Sequence, residues 1–219
     1  MLDIVIPSLL PEKVILNHFR RNKEALAECG AHVTYVTNIE LDLGSENASC
    51  ITITDQTRFD IGRVSNIGIR ASTMQVVVKS DIDIVFCADL IRFTAATIAG
   101  GRAYIAKCAN IDAQHYNTRN WDTAVLRPAG RGAWFAMHKR DWQRLRGYDE
   151  RLVGWGADDD NLYRRTKLSM NVVEHAKFEL WHVNHKVRTG AYFPCTEGNI
   201  KIPLNWHTLP ESADWGLQK

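Results

Sequence analysis

The run from Gln75 to Lys79 carries Val76, Val77 and Val78 in succession, so no face of it is polar. It is too short to be a buried helix, and a strand of unbroken β-branched residues must be covered on both sides. Cover on both faces is the property of sheets whose strands are joined by helical crossovers. The residues around it supply that pattern. Leu2 to Ile6 reads as a buried strand, and a helix from Pro11 places Ile15, Phe19, Leu26 and Cys29 at helical spacing until Gly30 stops it. His32 to Thr37 reads as a second strand, Ile51 to Thr54 as a short third, and Gly62 to Ser72 as the next helix. The expected fold is α/β, a mostly parallel central sheet flanked by helices.

The alternation continues. Ala103 to Lys107, Ala133 to His138 and Phe178 to Val183 read as strands, with helices at Arg140 to Arg146 and Asp159 to Leu168. Ala109 to Pro128, rich in Asn, Asp, Thr and Arg, reads as a long irregular loop, and loops of that length are usually functional. A chain of 219 residues, 45% hydrophobic, is enough for a single domain with a sizeable core. We place that domain over residues 1–190. The tail, 191–219, mixes Pro194, Pro203 and Pro210 with Trp206 and Trp215 and has no assignable regular structure.

A formal charge of +2, from 27 basic and 25 acidic residues, announces neither nucleic acid nor an anionic membrane. Five cysteines, widely spaced and never in a CxxC pair, read as reduced thiols of a cytoplasmic protein. The opening MLDIVIP is too short for a signal sequence, and no segment reaches the roughly 18 to 20 apolar residues of a membrane span.

In open α/β sheets ligands bind beyond the carboxyl ends of the strands. The residues after Lys79 are SDIDIVF. On extended backbone Asp81 and Asp83 project to the same side, and two hard oxygen ligands there suit Mg²⁺ or Mn²⁺ in contact with phosphate. The same spacing also arises by chance from turn or capping aspartates. His182 and His185, in ELWHVNHK, follow the last expected strand, and imidazole joins carboxylate around Mn²⁺-like ions. If the chain turns after Trp181 both rings share a side; if it stays extended only one of them can bind.

The segment GWGADDDNLYRR, Gly154 to Arg165, crowds three aspartates at a helix start. Capping and the helix dipole account for one or two acids. Asp158 is the expected N-cap, and Asp160 has Arg164 four residues on for an ion pair. Asp159 is left without such a partner, since Tyr163 stands at i+4. A carboxylate in that position is a candidate general base.

Taken in order, FDIGRVSNIG (Phe59 to Gly68), SDIDIVF (Ser80 to Phe86) and GAWFAMHKRDWQRLRGYDERLVGWGADDDNLYRR (Gly132 to Arg165) resemble the GT-A glycosyltransferases. The resemblance is closest to the β-1,4-galactosyltransferase group, family 7, with its GWGxEDDD motif, and extends to the family 2 enzymes. It runs from Phe59 to His185. It implies a single-domain GT-A fold and an inverting transfer of a hexose or similar sugar from a nucleotide-diphosphate donor, in the first place a UDP-sugar. The implied acceptor is a hydroxyl of a glycan or small molecule, and the implied cofactor is Mn²⁺ or Mg²⁺. Residue by residue, it implies that Asp83 binds the metal and that Asp81 approaches the donor ribose or a metal-bound water. His182 and His185 match two family metal ligands, the first a methionine in the galactosyltransferase pattern. Arg63 and Asn66 fall in the segment lining the nucleotide, with Asp55 a contact to the base. Trp155 matches the tryptophan of a loop that closes over donor and acceptor, Asp158 the motif glutamate at the acceptor, and Asp159 the catalytic base.

The chain departs from the family at three places. Ala157 replaces a motif glycine, Asp158 replaces glutamate, and the first strand ends IPSLLPEK without the arginine usual near the uracil. One alternative is the same chemistry on a modified base in DNA, with Arg119, Arg127, Arg131, Lys139, Arg140, Arg144 and Arg146 as a basic surface. Others are a non-catalytic nucleotide-sugar binding protein and, more weakly, a nucleotidyltransferase.

Overall fold

The computed structural model describes residues 1–54, 60–118, 120–126, 131–152, 156–175, 180–184 and 215–216. The first half of the chain forms β1 (Leu2–Pro7), α1 (Glu12–Cys29), β2 (His32–Thr37), β3 (Ala48–Thr52), α2 (Ile61–Ala71), β4 (Val76–Ser80), β5 (Ile84–Phe86) and α3 (Ala88–Ala99). The second half forms β6 (Ala103–Ala106), β7 (Ala109–Asp112), α4 (Ala113–Asn117), β8 (Val125–Leu126), β9 (Trp134–His138), α5 (Lys139–Leu145), α6 (Asp158–Ser169), β10 (Val172–His175) and β11 (Leu180–Asn184).

A seven-stranded sheet runs β10-β6-β9-β4-β1-β2-β3, and only β9 lies antiparallel to its neighbours. The valine strand β4 sits in its middle, and the two cores explain its composition. Val78 joins Ile4, Ile6, Ile15 of α1 and Leu90 of α3 on one face, while Val77 joins Val5, Val64 of α2, Trp142 of α5 and Leu162 of α6 on the other. Helix α2 lies very close to the sheet: a Cβ added at Gly68 would come within 2.5 Å of Val5 Cγ1 and 2.6 Å of Val36 Cγ2. Any larger residue there forces the helix off the strands.

The buried stripe of α1 is only partly apolar. Between Ile15 and Leu26 it contains His18 and Asn22, both buried. His18 Nδ1 lies 2.6 Å from Tyr35 Oη, and burial lowers its pKa to about 4, so it is neutral. The Asn22 amide donates to Ile84 O (3.1 Å) and accepts from Phe86 N (3.0 Å), completing the hydrogen bonding of β5 as a neighbouring strand would.

The stretch expected as an irregular loop after Ala109 is ordered over its described residues. It contains β7, α4, a 3-10 turn at Trp121–Thr123 and β8, and β7 and β8 join a second sheet of order β5-β11-β7-β8. Its apolar residues are few and scattered: Ile111 faces Val85, Trp181 and Val183 in a small separate core, while Asp112 beside it is exposed. Of the tail, Trp215 and Gly216 are described. Trp215 is 7% exposed and packs on the α2 side of the sheet, with Arg70 Nη1 donating to its carbonyl at 2.7 Å.

Candidate active site

β4 ends at Ser80, whose hydroxyl donates to Ala133 O at 2.7 Å, and Asp81 to Asp83 form the turn into β5, closed by Ile84 N donating to Asp81 O at 3.3 Å. The two carboxylates of this turn have different partners. Asp81 Oδ1 accepts from the buried Lys79 ammonium at 2.5 Å. Asp83 instead faces His182, with Nε2 3.2 Å from Oδ2. β11 pairs antiparallel with β5, His182 opposite Ile84, and Val183 N donates to Asp83 O at 2.9 Å. That register sets the imidazole beside the carboxylate. Through Asn22, helix α1 anchors β5 and with it the Asp83 turn.

Asp83 and His182 supply one carboxylate and one imidazole side by side, a donor pair that fits Mn²⁺ or Mg²⁺. Among the described residues no group of three or more His, Cys, Asp and Glu side chains is assembled to hold a metal. His185, the expected further ligand, lies outside the described residues, as do Asp55 and Trp155.

The triple aspartate opens α6, but its labour is divided differently from the sequence expectation. The N-cap is Ala157, with φ 69° and ψ −13° and no side-chain capping bond, so Asp158 is the first helical residue and not the cap. Asp160 pairs with Arg131 instead of Arg164, and the Arg131 guanidinium also lies 4.0 Å over the Tyr163 ring. Asp158 is 6% exposed and faces inward. Asp159 accepts from Tyr148 Oη at 3.2 Å, and its Oδ2 is so close to Gly132 that an added Cβ would lie 2.2 Å away. Burial raises the Asp159 pKa to about 7, helped by Asp158 and Asp81 and opposed by Lys79 and the Tyr148 hydroxyl.

A left-handed alanine costs about 1–2 kcal/mol relative to an allowed conformation, more than the roughly 0.5–1 kcal/mol a flexible glycine costs in chain entropy. Ala157→Gly is therefore expected to raise the melting temperature by ~1–4 °C for a chain of this size. A thermal melt checks it, and a lower melting temperature would show that the backbone at 157 is not strained.

Tyr148, the partner of Asp159, is held from behind by a buried bracket. Asn66 Nδ2 donates to Tyr148 O (2.9 Å) and Glu150 Oε1 (2.8 Å), and its Oδ1 accepts from Tyr148 N (2.8 Å). Asn66 is 0% exposed and its amide is engaged by Tyr148 and Glu150, so it stands behind Tyr148. Arg63, one turn earlier, is half-buried. Gly216 N donates to the same Glu150 oxygen at 2.6 Å, so the chain's end ties into this bracket. Arg165, buried, locks α6 in place by donating to Leu145 O and Gly147 O, both at 2.7 Å.

Lys79 and Tyr148 are the site residues that sequence reasoning missed. A signal existed for the first: a lysine ending an all-valine strand must find acidic partners or stay exposed. Nothing local marks Tyr148, which reaches Asp159 through its place in the fold. Of the basic residues considered for DNA, Arg131 and Arg144 pair with Asp160 and Asp141, and Lys139 donates to the carbonyls of Ile69, Arg70 and Ser72. Arg119 and Arg127 lie outside the described residues.

Residues 114–188, about a third of the chain, match the family described as the N-terminal domain of galactosyltransferase. No curated protein matches the chain by sequence. Among solved structures, the catalytic domain of Drosophila β1,4-galactosyltransferase 7 with xylobiose superposes with a TM-score of 0.64 at 11% identity, over 96% of this chain and 81% of that one. GalNAc-T7 with UDP, GalNAc and Mn²⁺ gives 0.63 at 12% identity, over 84% of this chain and 44% of that one. Residues 1–349 of TarS from S. aureus give 0.60 at 12% identity, over 83% and 60%. The chain has the GT-A glycosyltransferase fold. In a GT-A fold the Asp81–Asp83 turn and the start of α6 lie together at the carboxyl edge of the sheet, where β9, running antiparallel to β4, delivers Gly132 between them. Among the described residues no helix is long and apolar enough to cross a membrane.

Proposed function

We propose that this protein is a metal-dependent, inverting glycosyltransferase that moves a hexose or similar sugar from a nucleotide-diphosphate donor, in the first place a UDP-sugar, to a hydroxyl of a glycan or small acceptor. The observation that carries the reading is Asp159, a carboxylate raised to about 7 and held by Tyr148 at the carboxyl edge of a GT-A sheet. A general base works best when its pKa lies near the working pH. In this reading Asp159 takes the proton of the acceptor hydroxyl as its oxygen attacks the anomeric carbon on the face opposite the diphosphate. One displacement inverts the configuration. Tyr148 keeps the carboxylate aimed, and Asp158 lines the acceptor side.

Asp83 and His182 would hold Mn²⁺ or Mg²⁺, with His185 the further candidate. When bound, the ion supplies Lewis-acid neutralisation of the diphosphate. The bound species named for the superposing structures, UDP, GalNAc and Mn²⁺ in GalNAc-T7 and UDP-Gal with manganese and xylobiose in a Drosophila galactosyltransferase variant, support this choice of donor class and metal.

A panel of nucleotide sugars with Mn²⁺ tests the reading, scored for nucleoside diphosphate released only when acceptor is present. Release is expected to stop on chelation and return with Mn²⁺, and Asp83→Ala is expected to lower it by ~100-fold or more. Turnover indifferent to both would remove the metal from the mechanism. Failure of every donor to bind or turn over would remove the transferase reading itself.

A further inference from the structure

Lys79 continues the valine strand β4 yet ends in an ammonium with 0% exposure. Burying a cation costs several kcal/mol unless paired, and an apolar residue would extend the core at no such cost. The fold alone does not call for a charge here. The ammonium donates to Asp81 Oδ1 at 2.5 Å and to Gly132 O at 3.2 Å, and it stands 5.9 Å from the Tyr148 ring centre. The Asp159 carboxylate packs against the same glycine. Lysine and base thus share Gly132 as a neighbour, and the base's own hydrogen-bond donor, Tyr148, borders both.

We propose that Lys79 is a positioning residue for the transfer reaction, tying the donor-side Asp81 to the Gly132 backbone and supplying the positive charge against which Asp159 serves as base. The role rests on the reading of Asp159 as the base. Among the described residues, the groups that act most strongly on Asp159 are Asp158 from its own helix, Asp81 from the turn after β4, the Tyr148 hydroxyl from the segment before α6, and Lys79 from β4. Burial, Asp158 and Asp81 oppose ionisation, and Lys79 is the strongest influence in its favour. In turn, burial would lower the lysine's own pKa, but Asp81, Asp159 and Asp158 hold it raised, so the charge persists at any working pH. Lysine is the fitting residue because a single ammonium can donate to Asp81 and Gly132 while facing a third group.

The test uses the full chain with ¹³C-labelled aspartate carboxyls, the Asp159 signal assigned by its loss in Asp159→Asn. In Lys79→Met the midpoint of the Asp159 titration is expected to move up by ~1–2 pH units, with the acid limb of the transfer pH profile moving alongside. At pH 7 kcat should fall roughly 5- to 10-fold or more, with the donor KM within about two-fold, since a unit's shift empties most of the ionised form. Lys79→Arg should restore most of the midpoint shift. An unmoved midpoint in a folded Lys79→Met chain overturns the proposal. If that variant does not fold, the ¹⁵Nζ signal of Lys79 in the wild type decides: it should step with the Asp159 midpoint and lose the step in Asp159→Asn, and a flat signal overturns the proposal. The carboxylate titration needs no substrate, so a chain that transfers no sugar but shows the shift refutes the transferase reading separately from the Lys79–Asp159 coupling.

Discussion

Replacing Asp159 by asparagine is expected to lower transfer by ~10²–10⁴-fold at neutral pH, the range a positioned general base contributes, while donor binding stays within about two-fold of wild type. Asparagine preserves the shape and can still accept from Tyr148 Oη, so the bracket of Asn66, Tyr148 and Glu150 has no reason to collapse. Only the proton acceptor is lost. In the wild type the rate should climb with pH through about 7, because burial has raised the carboxyl to that value and the base form fills only above it. Stability should run the other way. A carboxyl whose folded pKa is raised favours the folded state while protonated, and that contribution is lost as pH rises from about 4, the ordinary carboxyl value, through about 7. Asp159→Asn is neutral at every pH and should therefore melt higher than wild type at pH 8 and show a smaller difference at pH 5. Kinetics and melts at both pH values check this; full transfer by the variant would remove Asp159 from the chemistry.

Gly132→Ala should produce the second large loss, by a different route. The new Cβ would meet Asp159 Oδ2 at 2.2 Å and its Cγ at 2.9 Å. What gives way is the tip of a side chain and not backbone, so folding should be little affected and the melting temperature should stay within a few degrees. The carboxylate, however, must swing away from its place beside Tyr148. Misplacing a reacting group by an ångström can cost ~10²-fold, and that is the expected fall in kcat. Donor binding at the Asp83 turn should persist. A variant that melts like wild type and transfers like wild type would show that the aim of Asp159 does not matter, whereas one that loses both would point to a packing role for the glycine.

Much of the architecture was legible along the chain because strand and helix periods are local properties. Val76 to Val78 announce a strand covered on both faces, and the structure places them between two cores. Ile15 and Leu26 mark the buried side of α1, although His18 and Asn22 on the same side could not be read as core, since their polar groups are satisfied by Tyr35 and by β5, which follow many residues later. Helix α3 and strand β10 went unassigned, the first because ADLIRFTAATIA has apolar and small residues on nearly every side, the second because VVEH is short and follows a helix directly. β7 looked like loop for a related reason: a half-buried strand of four residues shows too little of its alternation to stand out.

The candidate site divides along the same line. SDIDIVF and GADDDN name Asp81, Asp83 and Asp159 because each is part of a contiguous motif, and Asp159 has no residue four positions on that could neutralise it. Which charges surround each carboxylate was beyond local reading. Asp81 turns to Lys79 and Asp83 to His182 because β4 ends in a turn and β11 pairs with β5. Asp158 is buried at the first helical position because Ala157 takes the left-handed conformation before it, and Asp160 reaches Arg131 rather than its own helix. Side-chain periodicity is set by covalent geometry over a few residues, so it survives in the linear chain. The pairing of Lys79 with Asp81 beside Gly132, and of Tyr148 with Asp159, is set by which strands lie together, and desolvation then fixes the pKa values only once those groups have been enclosed.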